Sequence, residues 1–289
     1  MPTFTKIFLK SSEVINTVSC IQSKTGFNKV FKKHCSYQSI HNKQLQNGKS
    51  CLSNLLESTD CILNMLIEKN CSDVLYFDFK KAFDQVSHYR LLEKMKRIGL
   101  NQSIVNIIGD FLSGRSMKIK VGDTLSEARS VTSGVPQGSV LGPLLFLIFV
   151  NELPNLLISH CKLFADDLKL IVNPTNKDIV EQDLKTLEIW QSEWNLFFNP
   201  VKCKVMHIGK SNPKHIYPFL DGFLTATDSE KDLGITFDKG VDFSNHIKSI
   251  VSRTKGLISW LLRNILSREK EIMLRIYKFL IRPNVEYCT

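Results

Sequence analysis

The eight cysteines include no C-x-x-C pair, and no histidine stands at zinc-ligand spacing from any of them. That pattern argues against a zinc module and against a dense disulfide framework, and leaves reduced thiols in an intracellular protein as the expectation. No apolar run reaches membrane length. The longest, Val140 to Val150, is interrupted by Gly142 and Pro143 and is about half of the ~20 residues that a span requires. The opening MPTFTKIFLKSSE has no sustained apolar core, so secretion is not expected. No internal repeat is visible. Arginine is missing from residues 1 to 60, where eight lysines stand against Glu13, Glu57 and Asp60.

What is present describes a globular, basic chain. A hydrophobic fraction of 43% over 289 residues is enough to bury a real core. The net charge of +10 attracts polyanions, of which nucleic acids are the commonest. Residues 1 to 50 are polar with fragmentary periodicity, with one short helix expected near Phe27 to Ser36. Apolar spacing predicts helices over Ser50 to Glu68, His88 to Ile98, Ser103 to Leu112 and Leu141 to Val150. Val180, Leu184, Leu187, Trp190 and Trp194 predict another, and two more are expected near Asn245 to Ile265 and Glu271 to Ile281. Strands are expected at DVLYFDF from Asp73, on both sides of the acidic pair in CKLFADDLKLIV, and at Cys203 to Ile208, Tyr217 to Leu220 and Leu233 to Phe237. Met117 to Val121 and Ala128 to Val131 read as a hairpin about Gly122-Asp123. The irregular interleaving predicts an α+β fold.

Three carboxylates lie in segments that otherwise favour burial: Asp78 inside YFDF, and Asp166 and Asp167 between Phe164 and Leu168. Two unit charges about 4 Å apart repel by roughly 4 kcal/mol at an effective dielectric near 20, so such a cluster needs a counter-charge. A divalent cation is one answer. Lys162 or Lys169 paired across the hairpin is the other, and the acidic pair alone does not choose between them.

The order of motifs supplies a resemblance. YFDFKKAFDQVSH, SGVPQGSVLGPLLFLIFVNELP, FADD, FNPVKCKVMHIGK and KDLGITFD follow one another as the five palm motifs of reverse transcriptases do, with wording closest to the non-LTR, LINE class and its jockey-like elements. The resemblance runs from about Cys51 to the C-terminus, where RPNVEYC resembles the thumb. It implies a right-hand polymerase palm with reduced fingers and a partial thumb: a fingers remnant over 1–72, palm over 73–242 and helical thumb over 243–289. The implied activity is RNA-directed DNA polymerase, extending a DNA primer on an RNA template with dNTPs, in a nuclear or cytoplasmic ribonucleoprotein and away from membranes.

By the same resemblance, Asp78 and Asp166 bridge two Mg²⁺ ions, or Mn²⁺, and Asp167 supports them. Phe83 would exclude a ribose 2′-hydroxyl, whereas an unplaced phenylalanine is more often core. Pro136, Gln137 and Gly138 would meet nucleotide and template, with Gly134 and Gly142 letting the backbone approach. Lys202 would donate a proton to pyrophosphate, with Lys204 competing for that role and an ordinary surface lysine the alternative, while Asp84 is a weaker metal candidate that reads more simply as a solvated acid near a helix start. The family's R-P-I-S motif is missing, and KQLQNGKSC is all that remains of a second fingers motif, which implies a chain shortened at both ends that binds primer-template but extends it feebly or not at all. A non-catalytic nucleic-acid-binding remnant and an interaction scaffold are the rival readings.

Overall fold

The computed structural model describes residues 50 to 287, and the helix expected near Phe27 to Ser36 lies outside them. The chain enters through helix α1 (Cys51–Lys69), whose start is set by a reciprocal cap: Ser53 N–H donates to Ser50 Oγ at 3.2 Å and Ser50 N–H to Ser53 Oγ at 2.8 Å. Asn70 ends it in the left-handed region, at φ 60°. Strand β1 (Ser72–Phe77) follows, then the single turn α2 (Ala82–Gln85) and helices α3 (His88–Arg97) and α4 (Gln102–Leu112). An exposed arm comes next, with an inner pair β3 (Lys120–Val121) and β4 (Thr124–Leu125) and an outer pair β2 (Ser116–Met117) and β5 (Arg129–Ser130). The hairpin expected about Gly122-Asp123 is therefore present, but the strand facing Lys120 and Val121 is Thr124–Leu125 and not Ala128 to Val131. Two residues suffice to reverse the chain, so pairing resumes immediately.

Beyond the arm lie the buried helix α5 (Leu141–Val150), the hairpin β6 (His160–Phe164) and β7 (Asp167–Val172), helix α6 (Lys177–Trp194) and strand β8 (Lys204–Ile208). Short strands β9 (Pro218–Phe219), β10 (Gly222–Phe223), β11 (Thr225–Ala226), β12 (Ser229–Asp232) and β13 (Ile235–Asp238) lead to the C-terminal helices α7 (Ser244–Asn264), α8 (Lys270–Ile276) and α9 (Arg282–Val285). Strand β12 was not legible, because SEKD is wholly polar. The helix expected over Glu271 to Ile281 instead passes into a π turn at Tyr277–Ile281; Pro283, just beyond, has no N–H to give the preceding turn, and the wider register absorbs that loss.

One sheet organises these elements, in the order β11-β8-β1-β7-β6, with β1 antiparallel to both neighbours. Successive residues of a strand face opposite sides, and the two sides bury different cores. Leu75, Phe77, Leu168, Leu170 and Val205 join the large core shared with α3, α4, α5 and α6. Val74, Ile171, Met206 and Ile208 join a smaller one, with Ile62 of α1 and Phe237 of β13. The α+β expectation holds: helices cover one face, while α1 and a hairpin cover the other. Among the described residues no helix is long and apolar enough to cross a membrane.

Helix α5 is buried almost all round and ends against a buried lysine. Lys94 of α3 donates to the Phe149 carbonyl at 2.6 Å, lies 3.0 Å from Glu152 Oε1 and sits 4.4 Å above the Trp194 ring. It thus supplies a donor and a positive charge at a helix C-terminus. Burial lowers its ammonium to about 8, against the opposing pull of Glu152. Removing it leaves Phe149 O without that donor, so Lys94→Ala is expected to cost about 3 kcal/mol in urea denaturation. Between about pH 8 and pH 10 the unfolded lysine keeps a proton that the folded one has lost, so wild-type stability rises with pH through that window and its lead over Lys94→Ala widens. A lead that stays constant there contradicts the lowered value.

Candidate active site

Strand register places the acids. Phe77 faces Leu168, so the next step in each strand sets Asp78 beside Asp167. By the same period of two, Asp78 continues the row of Val74 and Tyr76, while Asp167 begins the row of Lys169 and Ile171. Both rows belong to the α1 face. Phe164 pairs with Asp167, which leaves Ala165 and Asp166 as a two-residue turn. Ala165 lies at φ 55°, where an L residue is strained unless its surroundings hold it.

The segment after α6 is laid along the end of β1 by two backbone bonds, Lys80 N–H to Phe197 O and Asn199 N–H to Asp78 O, each at 2.8 Å, and is turned back on itself by Cys203 N–H to Asn199 O at 3.1 Å. This brings Lys202 Nζ to 2.6 Å from Asp78 Oδ2. The hydrogen bond and charge of Asp78, with Asp166 behind it, hold the exposed Lys202 ammonium above its usual range. Lys204, its competitor, is committed to Glu230 at 2.8 Å.

These residues border a cleft of about 430 Å³ between the sheet, α1 and the β12–β13 hairpin, lined by Asp78, Asp167, Lys169, Lys202, Lys204 and Asp232 among others. Asp167 is exposed at the start of β7 yet lines the cleft. Desolvation there, followed by the carboxylates of Asp166, Asp232 and Asp78, raises its carboxyl to about 6, with Lys169 opposing. Because the residue is open to solvent, the like charges are the firmer cause.

The salt-bridge alternative for the acidic pair is corrected. Lys162 and Lys169 are cross-strand neighbours of each other, and their partners come from other elements: Glu57 of α1, at 3.1 Å, for Lys162 and Asp232 of β12 for the buried Lys169. Burial lowers the Lys169 ammonium, and Asp232 offsets that. Neither lysine is spent on Asp166 or Asp167. Among the described residues no three His, Cys, Asp or Glu side chains converge closely enough to hold an ion unaided. The donors at this edge are nonetheless all carboxylate oxygens, which suit Mg²⁺, a cation that takes one or two carboxylates and completes its shell with water and phosphate.

The glycine-rich turn is stitched to the segment after Asp78. Val135 N–H donates to Phe83 O and Gly134 N–H to Val86 O, each at 2.8 Å, and Gln137 Nε2 donates to Asp84 Oδ1 at 3.2 Å. Asp84, expected as a solvated acid, is exposed and is Gln137's anchor. Phe83 is half-buried and stacks on Phe146, ring centres 5.0 Å apart.

Of the three glycines, Gly134 and Gly142 are required by the chain's own backbone. A Cβ on Gly134 would stand 2.8 Å from Asp84 Cα, and one on Gly142 2.4 Å from Pro136 O, whereas one on Gly138 meets nothing within 4 Å. Only Gly138 has its side open. Two supports of this turn went unread, His88 and Arg115, because each is a lone polar residue whose partner is a distant carbonyl. Asp232 and Glu230 were missed as cleft acids because their strand has no apolar pattern.

Carboxylates at the adjoining ends of two paired strands, Asp78 just after β1 and Asp167 at the start of β7, suit a palm of the nucleotide-polymerase kind. The family described as reverse transcriptase (RNA-dependent DNA polymerase) matches residues 18–255. The chain belongs to the reverse transcriptase family. It is 29% identical over 249 residues to the RNA-directed DNA polymerase from mobile element jockey of Drosophila funebris, covering 78% of this chain and 26% of that protein. It is 31% identical over 235 residues to the Drosophila melanogaster protein of the same description, covering 73% of this chain and 25% of that one. The chain thus spans about a quarter of these relatives' length. Among solved structures, an apo telomerase from Candida tropicalis truncated from its C-terminal domain shares the fold at a TM-score of 0.50 and 15% identity, over 80% of this chain and 45% of that one.

Gly134 and Gly138 both have left-handed backbones, at φ +84° and +79°, but only Gly134 faces a wall. Gly134→Ala is expected to cost roughly 3 kcal/mol or more and Gly138→Ala about 1 kcal/mol, read as urea midpoints. Equal costs would mean that the wall at Asp84 yields freely.

Proposed function

We propose that this chain is the polymerising part of an RNA-directed DNA polymerase, extending a DNA primer on an RNA template with dNTPs. The observation that carries the reading is the register that sets Asp78 and Asp167 side by side on one sheet face, with Asp166 in the adjoining turn. Family membership and the names of its relatives support it. On this reading residues 73–242 act as palm and 243–289 as part of a thumb.

Phosphoryl transfer from a nucleoside triphosphate asks for alignment and charge neutralisation more than for covalent help. Bound Mg²⁺ would supply activation of the primer hydroxyl and neutralisation of the triphosphate, held by Asp78 and Asp166 with Asp167 in support. The other roles belong to the chain's own side chains. Lys202, protonated beside Asp78, is placed to give a proton to departing pyrophosphate. Phe83, braced on Phe146, is a rigid wall for the sugar, and a wall that clashes rejects a 2′-hydroxyl better than apolar surroundings alone. Gln137 presents its amide at the turn, oriented by Asp84, and Gly138 leaves the adjoining backbone accessible.

Primer extension on RNA and DNA templates with Mg²⁺ or Mn²⁺ tests the reading. Asp166→Asn is expected to abolish extension while primer-template affinity holds or tightens, since one negative charge beside a polyanion is gone. Undiminished extension by that variant removes the metal-site assignment. Phe83→Ala is expected to raise ribonucleotide use relative to deoxyribonucleotide about tenfold or more, and an unchanged ratio makes Phe83 a core residue only.

A further inference from the structure

Arg115 stands outside every motif that carries the resemblance, yet its side chain reaches the glycine-rich turn. Its Nη2 donates to Gly134 O at 2.7 Å and its Nε to Leu112 O at 2.9 Å. His88 Nε2 lies 2.8 Å from the same Gly134 carbonyl and 3.1 Å from Arg115 Nη2. A carbonyl only accepts and a guanidinium only donates, so His88 Nε2 serves one of these contacts at a time: with a proton it donates to Gly134 O beside Arg115, and without one it accepts from Arg115. The guanidinium is half-buried, and its charge-assisted bond is stronger than a neutral one.

The backbone of Arg115 has a second task. Its carbonyl accepts from Val131 N–H at 2.9 Å, which closes the base of the exposed arm where β2 leaves and β5 returns. One residue therefore ties the arm to the turn. The turn's other face is bonded to Phe83 O and Val86 O, and Gln137 is bonded to Asp84. Displacing Gly134 would move the sugar wall and the Gln137 amide together.

We propose that Arg115 is a positioning residue: by holding the Gly134 carbonyl, it fixes the turn that carries Gln137 and is bonded to the Phe83 backbone, and so sets how well an incoming nucleotide is aligned. The proposal rests on the polymerase reading for its substrate and on geometry alone for the positioning. A group that acts through alignment changes nucleotide use far more than primer-template binding, because misplacement by about 1 Å can cost a hundredfold in rate.

The test uses the 289-residue chain with Arg115→Met, which keeps an apolar stem and removes the donors, and Arg115→Lys, which restores charge and one donor direction. Amide hydrogen exchange is read first. At Gly134 and Val135 it is expected to quicken about tenfold in Arg115→Met and less in Arg115→Lys, while Val74 and Leu75 in the central strand are unchanged. Unchanged exchange at Gly134 and Val135 overturns the proposal, as does quickening throughout the sheet.

Steady-state extension is read second. kcat for nucleotide addition is expected to fall about tenfold in Arg115→Met, and kcat/KM with it, while primer-template affinity stays within about twofold, and Arg115→Lys should recover part of the loss. Quickened exchange with unaltered KM and kcat makes Arg115 a structural tie and overturns the proposed role. If Arg115→Met does not fold, Arg115→Lys decides by the same two measurements. A wild-type chain without extension counts against the polymerase reading and takes the nucleotide-aligning role with it, whereas quickened exchange then shows only the tie between Arg115 and the turn.

Discussion

Antiparallel pairing of β1 with β7 in one register is the constraint from which the site follows. With Phe77 opposite Leu168, every second side chain of both strands enters the large core, and the alternate ones are committed to the face under α1. A slip of one residue would send Leu75, Leu168 and Leu170 to the wrong side and turn the acids into the apolar core. Burial of that many large side chains outweighs any local preference of Asp78 or Asp167, so the carboxylates are carried to their places by the hydrophobic pattern around them. Function at this edge is a by-product of the register that the core enforces.

That placement is electrostatically expensive, and the surrounding lysines show how it is tolerated. Four of them stand on or near the α1 face, each with its own acid: Lys162 with Glu57, Lys169 with Asp232, Lys202 with Asp78 and Lys204 with Glu230. The buried member, Lys169 with Asp232, cannot be broken without leaving an uncompensated charge, so it fastens the β12–β13 hairpin to the strand that begins with Asp167. The exposed Lys202 pair contributes little to stability in water. Its value is positional, a cation held where the acids concentrate negative charge. Lys162 and Lys169 make their ion pairs with other acids, which leaves the oxygens of Asp166 and Asp167 for other work.

Elements with strong periodicity were legible in the sequence. Helix α5 begins and ends where its apolar run does, α1 starts at its serine cap, and the acidic pair falls at the tip of a hairpin as the flanking apolar runs require. What was not legible depends on partners distant in sequence. Strand β12 exists because β13 and two lysines complete it, and nothing in Ser-Glu-Lys-Asp signals a strand. The assignment of Lys162 and Lys169 to Glu57 and Asp232 is set by α1 and a hairpin more than sixty residues beyond Lys169. The glycines were read by type, but which of them faces protein and which faces open space is a property of packing alone.

The turn from Ser133 to Gly142 shows why packing decides chemistry here. Asp84 accepts from Gln137 through its side chain and from Ser133 through its carbonyl, at 3.2 and 2.9 Å, while its backbone leaves no room for a Cβ on Gly134. The aromatic wall at Phe83 and the amide at Gln137 are therefore neighbours by construction, and neither can move far without the other. Phe83 is in turn stacked on Phe146 of the buried helix α5, whose end is capped by Lys94. Protein interiors are close-packed and resist continuous deformation, so this chain of contacts ties the geometry at the turn to the core. A substitution beneath the turn should shift Phe83 and Gln137 without touching the carboxylates, and one at the carboxylates should leave the turn intact. The two halves of the site are held by different physics: register for the acids, and backbone hydrogen bonds for the turn.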